Sequence, residues 1–249
     1  MTIVTILYLP EGLVLGSDTQ LTIYVKGKPV NSFKNSQKIF NISIENGKYN
    51  FALSQTGNAL PGKKPLSTHI YSIREQISLK KYTDEDFKAI DKFTDIIIEY
   101  FKQFEDKDLF GLFFYISGFD YEENKVIPSV YSIKFTKDPK GKLEVKKKLV
   151  ARPEKKEKYG IAYGGEGHWI ISKLLKLSDP SQGVPKRNIP YGLLSLKDGV
   201  EFTDYLIRSV IGLERFTTTF PTCGGKVRIA ILTPKEFRFI SDLDEDLLI

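Results

Sequence analysis

Three residues near the start of the chain have the types and spacing to do covalent chemistry together. The chain opens Met1-Thr2, and a small second residue is what methionine aminopeptidase leaves exposed, so the mature chain is expected to begin with Thr2. An N-terminal threonine carries its own base, because its hydroxyl sits beside a free α-amine with a pKa of roughly 7.7–8.0. Thr2 runs into Ile3-Val4-Thr5-Ile6-Leu7-Tyr8, which reads as a strand. Leu9-Pro10-Glu11-Gly12 then reads as a hairpin turn, with proline presetting one position and glycine supplying positive φ. Pairing the strands outward from that turn brings Asp18 opposite the first residues of the chain. After a short excursion, Phe33-Lys34-Asn35-Ser36-Gln37-Lys38-Ile39-Phe40 enters a third strand. An ammonium at Lys34 paired with Asp18 would be a buried ion pair beside Thr2 Oγ.

The series Thr2 … Gly12-Leu13-Val14-Leu15-Gly16-Ser17-Asp18 … Lys34-Asn35-Ser36-Gln37-Lys38-Ile39-Phe40 resembles the start of proteasome β-subunits and their bacterial relatives, the N-terminal-nucleophile (Ntn) hydrolases. With Met1 removed, the intervals from Thr2 to Asp18 and to Lys34 match that family without a gap. The resemblance implies a catalytic set of Thr2, Asp18 and Lys34, and it places the oxyanion donor at the backbone of Ser54–Gln55. Gly165 or Glu166 would stand where the family has a serine that supports the terminal amine. In Thr219-Phe220-Pro221-Thr222-Cys223-Gly224-Gly225, Phe220 falls in the slot of a supporting aspartate and Cys223 in that of a supporting serine. Phenylalanine accepts no hydrogen bond, so any support there must come from elsewhere. Thr22, Lys26 and Ser54–Gly57 lie where substrate specificity would be set.

The elements that would position these residues can be read coarsely. Lys48–Leu53 reads as a fourth strand, and Ser67–Leu79 as a helix with Ile70, Ile73 and Ile77 on one face. Thr83-Asp84-Glu85-Asp86 is an N-cap signal, and Phe87, Ile90, Ile97, Phe101 and Phe104 recur at helical spacing behind it, predicting one helix. Leu109–Phe119 is apolar on both faces, as a central strand must be. Hairpins follow at Asp120–Phe135 and Asp138-Pro139-Lys140-Gly141, then a short strand at Gly160–Tyr163, a helix from Gly164–Gly167 through Leu177, and another helix over Leu196–Leu213. Lys226–Leu232 and Phe237–Ile240 read as closing strands. Sheets each covered on one face by a helix pair predict an α+β fold, a four-layer α-β-β-α sandwich, and the resemblance implies the same Ntn-hydrolase architecture. Residues 1–249 are read as one domain, with a Lys-rich hairpin at 136–158 and a Pro/Gly/Ser-rich loop at 178–190 as insertions.

Composition narrows the function classes. The net charge is +6, and the excess gathers in Lys134–Lys158, including Lys146-Lys147-Lys148. Phe135 is the single aromatic residue among those lysines, too few for a stacking platform, so a solvated hairpin is preferred and no nucleic-acid partner is expected. The single cysteine excludes an internal disulfide framework and fits a reducing cytoplasm. No stretch approaches a membrane span, and no basic leader precedes an apolar core, so no membrane partner is expected. His69 and His168 are far apart with no carboxylate cluster at ligand spacing, so no metal or other cofactor is expected. No Gly-Lys-Ser/Thr follows Gly164–Gly167, which excludes a P-loop, and Trp169 is expected to pack.

These readings converge on a proteasome-like threonine peptidase acting on peptides or unfolded proteins through an acyl-enzyme ester on Thr2. The resemblance also implies a homo-oligomeric ring and an ATPase unfoldase as partner. Two alternatives keep the same residues: a non-catalytic structural subunit, and a monomeric Ntn amidase or transpeptidase.

Overall fold

The computed structural model describes residues 2–25, 28–44, 47–79, 82–155, 158–176, 188–217 and 220–240 of the 249. Met1, Lys26 and most of the 178–190 loop therefore lie outside the described residues. One five-stranded sheet is built from β1 (Ile3–Leu9), β2 (Gly12–Asp18), β10 (Gly160–Gly165), β11 (Val227–Leu232) and β12 (Phe237–Ile240), in the order β10-β1-β2-β11-β12. A second comprises β5 (Ile39–Ile44), β6 (Tyr49–Gly57), β7 (Leu112–Glu122), β8 (Lys125–Lys137) and β9 (Leu143–Ala151) in sequence order. A two-stranded ribbon, β3 (Leu21–Val25) and β4 (Lys28–Phe33), stands between β2 and β5 in the chain. The helices are α1 (Leu66–Leu79), α2 (Asp84–Phe87), α3 (Ile90–Phe101), α4 (Asp106–Leu109), α5 (His168–Leu175) and α6 (Leu196–Arg215).

Strand periodicity explains how the core is divided. On β7, Leu112, Phe114 and Ile116 face α1 and α3, while Tyr115 and Phe119 face the first sheet, because successive side chains alternate between faces. The first sheet meets them with Val4, Ile6, Leu13 and Leu15, and its opposite face carries Leu7, Val14 and Ile231. The stripe Val200, Leu206, Ile207 and Val210 of α6 covers part of that opposite face. Gly16 allows the close approach, since a Cβ there would collide with Thr203 and Ile207 of α6. Phe93 of α3 stacks on Phe51 at a ring separation of 3.8 Å; truncating such a buried ring costs about 3–5 kcal/mol.

This architecture corrects the four-layer α-β-β-α expectation. The described residues form a β-rich fold of three sheets whose strand pairs are all antiparallel, with helix in the minority. Helical periodicity over-weighted stretches that the tertiary structure divides. The single helix expected from Thr83 to Phe104 is a four-residue turn and a twelve-residue helix, broken at Lys88–Ala89. There Lys88 O accepts from Tyr121 N and Ile90 N donates to Asp120, so the end of β7 captures backbone groups a continuous helix would need. The stretch 21–33, expected only as a short excursion between strands, pairs as β3 and β4. The Lys-rich hairpin is the β8–β9 turn, and β9 is the edge strand of the second sheet, where lysines also discourage further strand pairing.

A candidate active site at the first strand

The β1–β2 hairpin has the register expected from its turn: Val4 faces Ser17, which sets Asp18 across from Ile3. Ile3 N donates to Asp18 Oδ1 at 2.9 Å. Gln20 N and Gly224 N donate to Oδ2 at 3.2 and 3.0 Å. The cation on this carboxylate is Lys38, whose Nζ lies 2.6 Å from Oδ1. Asp18 is 0% exposed and Lys38 4%. With four donors on two oxygens, Asp18 has no free lone pair to accept a substrate proton, so its part is to hold its neighbours. Burial drives the Lys38 pKa below the ordinary lysine value, against the opposing pull of Asp18.

The assignment of Lys34 is thereby corrected. Its side chain is exposed at the end of the β3–β4 ribbon; what reaches the site is its backbone, where Lys34 O accepts from Thr19 Oγ1 at 2.5 Å. The ribbon displaces the chain by a few residues, and the lysine that enters the next sheet is Lys38, immediately before Ile39 and Phe40 of β5. The legible signal was position: Lys38 abuts the apolar alternation of a strand, whereas Lys34 opens the polar run Lys34-Asn35-Ser36-Gln37.

A cleft of about 540 Å3 opens above this pair, with Thr2, Thr22, Lys38, Gln55, Gly165 and Glu166 among its lining residues. Thr2 is 7% exposed. Its carbonyl oxygen accepts from Glu166 N at 2.9 Å, and Gly165, at φ +95°, leaves that carbonyl the room a Cβ would take. Thr2, Lys38, Gly165 and Glu166 are thus brought to one cleft. Ser54 and Cys223 are not on its wall. Ser54 is fully buried opposite Ile39 with its hydroxyl unpartnered, and the adjacent Gln55 N donates to Lys38 O at 2.9 Å. The backbone expected to offer an oxyanion donor at Ser54–Gln55 therefore spends its Gln55 N–H on the strand carrying Lys38.

Cys223 is 2% exposed, and burial together with the charges of Asp18 and Glu214 pushes its thiol far above the ordinary range, the opposite of what a nucleophile needs. Phe220 is exposed and plays no polar part. The carboxylate absent from that segment arrives instead from α6: Glu214 accepts from Thr222 N, Thr222 Oγ1 and Cys223 N at 2.6–2.9 Å. Sequence reasoning missed Glu214 and Gln20, whose side chain donates to Pro221 O at 2.7 Å. The remaining candidates are structural or peripheral. His69 is buried between Tyr100 Oη and Pro61 O, at 2.9 and 2.7 Å. His168 is exposed with Nδ1 on Gly165 O, and Trp169, expected to pack, is about half exposed. Among the described residues no His/Cys/Asp/Glu group is arranged to hold a metal ion, and no helix is long and apolar enough to cross a membrane.

No protein-family model and no curated protein sequence matches the chain. Among solved structures it is similar to Anbu, in a Gly-1 mutant from Hyphomicrobium sp. strain MC1. The TM-score is 0.60 at 17% identity, over 100% of this chain and 91% of that one. The likeness is one of fold alone.

Proposed function

We propose that the protein is a proteasome-like threonine peptidase with Thr2 as its nucleophile. One observation carries this reading: Thr2 and the lysine of a buried Asp–Lys pair line the same cleft. A buried ion pair often contributes little net stability, so a purely structural role gives poor reason for placing its cation on a cleft wall beside a threonine.

Once Met1 is removed, Thr2 Oγ attacks a peptide carbonyl and its proton passes to the Thr2 α-amine. The C–N bond of the tetrahedral intermediate breaks, and the departing amine takes that proton. Lys38 lies on the cleft wall with Thr2, and its ammonium favours the negative charge that develops on oxygen during attack. Asp18 orients Lys38. Water then cleaves the Thr2 ester and regenerates the hydroxyl; a bound amine in place of water would make the same site a transpeptidase. Glu166, which lines the cleft, would meet an incoming or departing ammonium. Peptides or unfolded proteins are the proposed substrates. A homo-oligomeric assembly and an unfoldase partner belong to the same proposal, on the resemblance of the opening residues to proteasome β-subunits.

A second reading, a non-catalytic subunit of the same fold, is favoured by the engaged Gln55 N–H. Intact mass spectrometry before and after treatment with an epoxyketone or β-lactone separates the two. Loss of Met1 and one adduct localised to Thr2 are expected. A retained Met1, or a trimmed chain that never labels, would move the assignment to the non-catalytic subunit.

A further inference from the structure

The buried stripe of α6 runs Val200, Thr203, Leu206, Ile207, Val210 and then Glu214, the position at which the next apolar residue would fall. A carboxylate there is doubly out of place. Glutamate is rarely buried unless paired, yet Glu214 is 8% exposed, and an anion in the last turn opposes the helix dipole. Its oxygens are instead filled by the 222–223 backbone and the Thr222 hydroxyl. The next residue, Gly224, donates to Asp18 Oδ2 at 3.0 Å and accepts from Thr19 N at 3.2 Å. A continuous chain of contacts therefore runs from α6 through the 222–224 turn to Asp18, and from Asp18 to Lys38.

We propose that Glu214 is a positioning residue: it fixes the 222–224 turn so that Gly224 N–H holds Asp18, and thereby Lys38, in place. Glu214 is not on the cleft wall and touches no reacting atom. The reaction it serves is the one proposed above, but the contact chain stands whether or not that reaction occurs.

The experiment compares wild type with Glu214→Ala and Glu214→Gln by two readouts. Amide exchange at Gly224 reports the contact itself, and it is expected to accelerate about tenfold in Glu214→Ala relative to amides of β7. Covalent labelling of Thr2 by a β-lactone, resolved into limiting rate and half-saturation, is expected to lose about tenfold in limiting rate with half-saturation within about twofold. Glu214→Gln retains an acceptor oxygen and should recover part of the rate. Arg152→Ala, a destabilised variant remote from the cleft, should label like wild type.

Unchanged Gly224 exchange in Glu214→Ala, or a labelling loss shared by Arg152→Ala, overturns the proposal. If the Ala variant does not fold, Glu214→Gln decides: exchange at Gly224 accelerated about threefold or more supports the role, and unchanged exchange overturns it. If wild type never labels while Glu214→Ala still frees the Gly224 amide, the peptidase reading falls and the positioning role stands.

Discussion

Two buried aspartates in this molecule are each held by hydrogen-bond donors from distant segments and by one cation. Asp18, at the end of β2, takes three backbone N–H groups and the Lys38 ammonium. Asp120, late in β7, takes Ile90 N at 3.0 Å, Ser129 Oγ at 2.7 Å and Arg152 Nε at 2.9 Å. Each carboxylate is buried, each ties distant segments together, and each has one cation. The difference lies in that cation and in what lies above it. Arg152 is 31% exposed, shared with Glu122 and Glu154, and a guanidinium that does not give up its proton. Lys38 is 4% exposed, burial has lowered its proton affinity, and it faces a cleft containing Thr2. A buried aspartate–cation pair is therefore not a functional signal by itself. What sets the Lys38 pair apart is its place: its cation lines a cleft together with Thr2.

The comparison breaks most visibly at Lys38. Lys38→Ala leaves a fully buried carboxylate without its cation; the expected cost is about 3–5 kcal/mol in chemical unfolding, and Thr2 labelling should fall below detection. Lys34→Ala, the variant that spacing alone would have chosen, should match wild type in both measurements. If Lys34→Ala instead abolished labelling and Lys38→Ala did not, the pairing described here would be wrong.

At the other aspartate the expected effect is smaller. Arg152→Ala removes a partly exposed partner while Asp120 keeps Ile90 N and Ser129 Oγ, so a loss of about 1–2 kcal/mol is expected in denaturant melts, with Thr2 labelling intact. A labelling defect in this variant would show that labelling reports general destabilisation rather than the Asp18–Lys38 site.

The smallest effect tests a buried polar pair that carries no charge. Burial lowers the His69 pKa below its ordinary value, so the unfolded chain binds the proton more tightly than the folded one. Its contribution to stability is present above about pH 6.5 and is lost as pH falls through the lower folded value. Melting temperature should therefore fall more steeply below about pH 6.5 in wild type than in His69→Gln. Equal slopes would show that His69 titrates no differently in the two states.

The β1–β2 register, the central place of β7 and the placing of Asp18 across from the first residues of the chain were legible in the sequence. They follow from local rules: a Pro-Glu-Gly turn sets a hairpin's register, and a run apolar on both faces must be covered on both. What was not legible depended on contacts between segments far apart in the chain. The ribbon at 21–33 takes up residues expected only as an excursion, and the lysine that meets Asp18 is Lys38 rather than Lys34. The break between α2 and α3 arises because the end of β7 claims the backbone at Lys88 and Ile90. Glu214 looks like an ordinary charged residue near a helix end until the 222–224 turn folds back onto it. Sequence alone determined that Thr2 and Asp18 flank one hairpin, since the turn sets that register. Which cation meets Asp18, and what holds that aspartate still, only the tertiary structure decided, because burial and partner choice are set by chain segments that are up to about two hundred residues apart.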